Sequence, residues 1–355
     1  MPNWFWIVFG VVIILSYIGT KLSMNLANRL NIVDDPNSAP ERKSQSKPIP
    51  LIGASGLILV ATTGMSLVWL VNKYNWFELR EYLGQNLFFP FALIWIVAGI
   101  GLLTLAGLLD DWRIGGYRIY IPLVFLALLL TVTLGGLKIE AFSYPFNELN
   151  LRIAFLPQLL AFVWIGLCIA ATKFLDGHDG LVASVGIVAL LTIVSVATLA
   201  NVNQPLIQLF GLIWAGALIG FLPLNFPNAK IYLGDAGSTV VGFTIGVMSI
   251  LSGAKVATAS TVIGWFILDI VVVMSIRLWR TKSIKGLLIG DNKLHWHHRL
   301  RNLGLSKVQV LVFTVIVILI TSQVGLLVQT SNKVWALIVQ SLILIFAFAF
   351  SLKKN

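Results

Sequence analysis

The chain has 355 residues, 58% hydrophobic and only 11% charged, with 25 Lys and Arg against 14 acidic residues and a net charge of +11. A mean hydropathy of +0.91 represents more apolar surface than a soluble domain of this length could hide, so a soluble enzyme is excluded and a polytopic membrane protein is expected. The single cysteine, Cys168, sits in an apolar segment, which rules out an intramolecular disulfide framework or a thiolate cluster and leaves a packing role.

Stretches apolar and long enough to cross about 30 Å of hydrocarbon as helices fall at 4–22, 52–71, 88–109, 119–136, 156–173, 181–200, 207–224, 239–253, 258–276, 307–328 and 336–351. They predict an all-α bundle of eleven transmembrane helices in one membrane domain, 1–355. The first has neither a basic leader nor a small-residue cleavage site and is expected to be a retained helix. The segments near 119–136 and 239–253 are short or glycine-interrupted, so a partial break is expected in each. Between the helices, loops are expected near 24–50, 110–118, 174–180, 225–238 and 277–306 on one side. The loops at 72–87 and 137–155 lie on the other, and Tyr74, Trp76, Tyr144 and Phe146 there fit interfacial anchors.

Lys and Arg stay preferentially on the cytoplasmic side of short loops. With the N-terminus outside and the C-terminus cytoplasmic, 19 of the 25 fall on the cytoplasmic face, and only Lys73, Arg80, Lys138, Arg152, Lys255 and Lys333 fall outside. This basic face suits anionic lipid and anionic substrate and offers no soluble basic domain for nucleic acid.

Five of the fourteen acidic residues lie in three glycine-rich patches on that same face. Carboxylates retained in clusters in a charge-poor membrane protein point to function. Asp110 and Asp111, at the inner end of the third segment, repel each other unless a cation or a proton sits between them; a plain helix exit is the bland alternative. Asp176-Gly177-His178-Asp179-Gly180 spaces two carboxylates three apart, so that in a helical turn they would share a face, and its glycines alone would also make a turn. Asn225 through Ser238, with Tyr232 and Asp235, runs into the eighth segment, whose N-terminus suits a phosphate and whose Asp235 suits Mg²⁺; Ser238 as a simple N-cap is the alternative. His295-Trp-His297-His298-Arg299 is too compact for a tetrahedral zinc site and reads as a phosphate contact or a solvated basic loop. Asp269, inside the ninth segment, must face the bundle interior, to pair helices or to support a site.

These motifs resemble, in order and over nearly the whole chain, the polyprenyl-phosphate N-acetylhexosamine-1-phosphate transferases. The matching pieces are Asp34-x-Pro36-Asn37 with Arg42-Lys43, Pro48-x-Pro50-x-x-Gly53, Asp110-Asp111, Asp176-Gly-His-Asp179-Gly180-Leu181, Asn225 through Ser238, and His295-x-His297-His298-Arg299-Leu300. The resemblance implies that a membrane polyprenyl phosphate displaces UMP from a UDP-sugar, with Mg²⁺ (or Mn²⁺) required, as the first lipid-linked step of cell-envelope glycan synthesis at the bacterial inner membrane. Implied partners are the UDP-sugar, undecaprenyl phosphate, the bilayer and a second copy in a homodimer.

By the same resemblance Asp235 and Asp111 hold the metal and Asp110 is a candidate base. Asp176, Asp179 and Asn225 meet the nucleotide, and Tyr232 stacks on uracil. Lys47, Lys173, His297, His298 and Arg299 meet phosphates or sugar. The chain departs from the family pattern at Lys173 and Ala170, where asparagines are usual, at Gln45 for a histidine and at Ala54 for a glycine. The His-Trp-His-His-Arg-Leu form is similar to the branch acting on simple UDP-N-acetylhexosamines, which disfavours UDP-MurNAc-pentapeptide as donor. The competing class is a nucleotide-sugar or anion transporter, whose polar groups would lie near the bilayer midplane.

Overall fold

A computed structural model describes residues 1–36, 47–74, 88–112, 114–139, 141–142, 149–150, 155–199, 202–252, 256–283, 294–327 and 338. Among them, ten of the expected segments are helices: α1 (Asn3–Arg29), α2 (Ala54–Lys73), α3 (Phe88–Asp111), α4 (Tyr117–Thr133), α5 (Leu156–Leu175), α6 (Leu181–Ala197), α7 (Pro205–Asn225), α8 (Gly234–Leu251), α9 (Val256–Thr281) and, after the short α10 (Trp296–Asn302), α11 (Lys307–Leu327). Eight of these are long and apolar enough to cross a membrane, with α4 and α6 shorter apolar helices. The segment expected at 336–351 lies outside the described residues except for residue 338, as do Asn37, Arg42, Lys43, Gln45 and three of the four aromatic anchors, Trp76, Tyr144 and Phe146. The chain is an all-α polytopic membrane protein.

Two expectations of broken helices are corrected. Helix α8 runs unbroken through Gly242 and Gly246, and α4 is continuous through Pro122, which lies near its start and removes only one backbone bond. The glycines of α8 serve packing: a side chain at Gly242 would strike Cys168 and Thr172 of α5, and one at Gly246 would press on Ile165. Small residues at such contacts let helices approach where lipid provides no hydrophobic drive between them. Cys168 is fully buried in this seam, as its packing role requires.

Helix α8 is the centre of the bundle, packed against α5 and α3, while α7 is wrapped by α1, α2 and α6. Polar side chains inside are tied across helices, with Ser16 Oγ donating to the Ala217 carbonyl at 2.6 Å and Trp164 Nε1 to Ser249 Oγ at 2.8 Å. Helix α1 turns Trp6, Ile7, Val11, Ile14, Ile18 and Leu22 outward, an apolar face that suits lipid.

At one end of the bundle a two-residue hairpin, β1 (Val33–Asp34) with β2 (Ile49–Pro50), closes the first long loop. The chain just after it exchanges backbone bonds with the loop before α8: Tyr232 N–H donates to the Pro50 carbonyl at 2.8 Å and Gly53 N–H to the Tyr232 carbonyl at 3.1 Å. A second hairpin pairs β3 (Ala141–Phe142) with β4 (Leu149–Asn150).

Candidate active site

The site is assembled where α3 and α5 end and α8 begins. Gly107 allows it: a side chain there would collide with the backbone of Ala236, so α3 rests directly on the first turn of α8. The two acidic residues that follow are thereby delivered to that helix start. Asp111 Oδ1 accepts the Asp235 N–H at 3.1 Å, a carboxylate cap on the positive helix end. Ser238 is therefore not the N-cap; its hydroxyl donates back to the Gly234 carbonyl at 3.1 Å. Gly234 itself has φ +77°, and a side chain there would meet the Leu51 carbonyl and Asp111, so only glycine lets the loop enter the helix here.

Lys173, in the last turn of α5, reaches into this corner. Its Nζ lies 3.2 Å from Asp235 Oδ1 and 3.5 Å from Asp110 Oδ2, and 3.5 Å from the centroid of the Tyr120 ring, a cation–π contact. Tyr120 is fixed in turn, its hydroxyl 2.7 Å from Thr239 Oγ1. Asp176, just past the end of α5, completes the group: burial first, then the nearby charges of Asp235 and Asp111, push its carboxyl well above the usual range. Four carboxylates thus gather in one corner, two of them on the Lys173 ammonium, and Asp111 Oδ2 is buried without a hydrogen-bond partner.

The expectation that Asp176 and Asp179 share a face is corrected, because residues 176–180 form turns and not a helical turn. Asp176 enters the carboxylate group. Asp179 points away, its Oδ2 accepting from Lys307 Nζ at 3.1 Å and from the Asn228 N–H at 3.3 Å. Asn225, expected at the nucleotide, is buried and clamps two main-chain groups: Oδ1 accepts the Gly180 N–H at 3.0 Å and Nδ2 donates to the Ile231 carbonyl at 2.9 Å. It ties the Asp-Gly turn to the loop before α8 and sets their spacing. Tyr232 is half-buried beside Asp179 and Asp34, and burial first, then these carboxylates, raises its phenol. Lys47 is exposed, two residues before β2.

The histidine segment forms a second wall. His295 Nδ1 lies 2.9 Å from Asp269 Oδ2, and the Trp296 N–H donates to Asp269 Oδ1 at 3.1 Å, which assigns Asp269 to support. His297 is buried with its Nε2 unpartnered, facing Gly177, where an added side chain would lie 3.1 Å away. Burial, with three neighbouring imidazoles, holds His297 well below the ordinary histidine range, so it is a neutral ring. The His298 ring lies beside it, tilted by 42°, at 4.3 Å between centroids. Arg299, expected at a phosphate, is buried and donates its Nε–H to the Leu294 carbonyl at 2.6 Å. That bond folds the segment on itself. The structure also brings in Tyr120, Thr239 and Lys307, which carry no motif and were not singled out in the sequence. The only signal for Lys307 was a lone cation at a helix start.

The donor set is all hard carboxylate oxygen, a chemistry that suits Mg²⁺, and Asp111 Oδ2 and Asp235 are the residues that would hold such an ion. Among the described residues no three His, Cys, Asp or Glu side chains are disposed to ligate one ion unaided. An ion held here would draw the rest of its shell from water and phosphate, as Mg²⁺ ordinarily does.

Residues 90–253, from α3 to the end of α8, match the family described as Glycosyl transferase family 4. A Bacillus subtilis (strain 168) protein named "Probable undecaprenyl-phosphate N-acetylglucosaminyl 1-phosphate transferase" is 27% identical over 93% of this chain and 86% of its own length. The undecaprenyl-phosphate alpha-N-acetylglucosaminyl 1-phosphate transferase of Escherichia coli (strain K12) is 23% identical over the same shares. A decaprenyl-phosphate N-acetylglucosaminephosphotransferase of Mycolicibacterium smegmatis (strain ATCC 700084 / mc(2)155) is 26% identical over 82% of this chain and 74% of its own length. Over that stretch the chain is similar to glycosyltransferase family 4. The matched stretch contains the whole carboxylate group with Lys173, together with Asp179, Asn225 and Tyr232, and ends before the histidine wall.

Proposed function

We propose that this chain transfers N-acetylhexosamine 1-phosphate from a UDP-sugar to a membrane polyprenyl phosphate, giving polyprenyl-diphosphate-sugar and UMP. The observation that carries this reading is the gathering of Asp110, Asp111, Asp176 and Asp235 in one corner at the ends of membrane helices, with Lys173 on Asp110 and Asp235. The lipid phosphate oxygen would attack the sugar-bearing phosphorus, and the bond to the UMP phosphate would break with its electron pair leaving on UMP. A phosphate monoester is already anionic near neutrality, so Asp110 need only take any proton the lipid still carries. Phosphoryl transfer depends mainly on positioning and charge neutralisation. Asp235 and Asp111 would hold Mg²⁺, or Mn²⁺, which when bound would neutralise diphosphate charge. Lys173, His297 and His298 would meet phosphate and sugar, and Tyr232 would stack on uracil.

The distribution of Lys and Arg supports a site open to the cytoplasm. A transporter would gather its polar groups at broken helices in mid-membrane; here they gather at the ends of unbroken ones, which favours a lipid substrate arriving sideways. The test is UMP release by detergent-purified protein given undecaprenyl phosphate, Mg²⁺ and individual UDP-N-acetylhexosamines, with and without EDTA. Metal-dependent UMP from one donor is expected. Binding of a UDP-sugar with no release from any donor would favour the transporter.

A further inference from the structure

A divalent ion bound by this cluster would find a cation already there. The Lys173 ammonium bridges Asp235 and Asp110 at 3.2 and 3.5 Å, and it is held by parts that belong to the same corner. The Tyr120 ring covers it at 3.5 Å, the Tyr120 hydroxyl meets Thr239, and the Thr239 hydroxyl donates to the Asp235 carbonyl at 2.6 Å. The stem rises from the last turn of α5, where Ala171, Thr172 and Leu175 are buried. The one carboxylate oxygen of the pair Asp110-Asp111 that is buried and unpartnered, Asp111 Oδ2, lies against Gly234.

We infer that Lys173 is a resident counter-cation that competes with the divalent ion for Asp235, so that the ion binds only as the ammonium gives up that carboxylate and turns toward the phosphates of the donor. This rests on the reading that Asp235 and Asp111 hold the metal. Two like charges within a few ångströms oppose each other strongly in a partly desolvated corner, whereas an ammonium on a four-carbon stem can move at small cost. The lysine has two consequences. It keeps the four carboxylates from repelling one another when no metal is bound, and it sets the metal affinity low enough that metal and donor phosphate enter together. An asparagine at position 173 would remove the competitor and supply a neutral oxygen instead.

The experiment titrates Mn²⁺ into the full-length protein in detergent, without donor or lipid, and reads free Mn²⁺ by electron paramagnetic resonance. It compares wild type with K173N, K173M and K173R, with D235N as the blank. K173N and K173M are expected to bind Mn²⁺ at least about tenfold tighter than wild type, with K173R close to wild type, a size reduced for the partial exposure of the group. A misfolded variant cannot bind the ion more tightly, so the expected direction is not produced by damage. Equal affinity in wild type, K173M and K173R would overturn the competition while leaving the metal reading standing. Tightening in K173R as large as in K173M would overturn it too, because the charge would then be irrelevant. No binding by any of the four proteins would overturn the metal reading itself, and the competition with it.

Discussion

Asp269 and Asp235 are both carboxylates on long apolar helices, yet one is complete and the other is not. Asp269 is 5% exposed and has one donor on each oxygen, His295 Nδ1 and the Trp296 N–H. Asp235 shares one ammonium with Asp110 and lies beside Asp111 and Asp176, so the corner carries more negative charge than it neutralises. A completed buried carboxylate holds structure, since breaking its pairing costs free energy and completing it further gains none. Surplus charge in a partly dry corner is held at a cost that a cation or a cationic side chain can relieve, and such clusters mark functional sites. The difference between these two residues is therefore one of accounting at the level of hydrogen bonds, and it predicts opposite phenotypes for the same substitution.

Asp235→Asn should lower UMP release by at least about 10³-fold, while the unfolding temperature in detergent stays level or rises, because it removes a repelling charge and almost no volume. Wild-type turnover in D235N would remove that residue from the metal site. Asp110→Asn should cost about 10²-fold in rate, again without lost stability; unchanged turnover at every pH would remove Asp110 from the chemistry. Asp269→Asn should do the reverse. It forfeits a charge-assisted bond to His295, worth about 2 kcal/mol, so a clear drop in unfolding temperature is expected with a rate loss of about tenfold or less. A D269N protein as stable as wild type but catalytically dead would collapse the distinction.

Much of this was legible in the sequence. The apolar segments gave the helices because length and composition decide a membrane span locally, and the acidic patches pointed to the corner because charge is scarce enough in this chain to be informative. What escaped depended on depth and direction. Asp176 and Asp179 are three apart, but whether they share a face turns on the backbone adopting a helical turn, and the glycines chose otherwise. Asn225 and Arg299 sit in motifs that look ligand-directed, yet Asn225 Oδ1 and Nδ2 and Arg299 Nε bond main-chain groups at Gly180, Ile231 and Leu294, partners that leave no trace in side-chain patterns. Ser238 had the composition of a cap, but the cap came from Asp111, more than a hundred residues away. Tyr120 and Thr239 hold Lys173 through side-chain contacts between α4, α5 and α8, elements far apart in the chain.

The smallest effect separates the histidine wall from the carboxylate corner by pH. His297 is held well below its ordinary value of 6.5, with burial the largest cause. A depressed imidazole binds protons more readily in the unfolded chain than in the folded one. Stability from the neutral ring is thus present above the unfolded value, about 6.5, and is lost as pH falls through the folded value. Asp176 runs the other way. Its raised carboxyl favours the folded state below the unfolded carboxylate value, and that contribution is lost as pH rises toward the raised one. Between pH 7 and pH 5 the two trends oppose, so wild type should show a shallow profile of unfolding temperature. His297→Gln removes the imidazole term, and the variant should lose less stability than wild type as the pH falls across that window, or gain some. A profile for H297Q that falls more steeply than wild type between pH 7 and 5 would mean that His297 is charged in the folded protein and pairs with an acidic group, and that the wall belongs electrostatically to the corner after all.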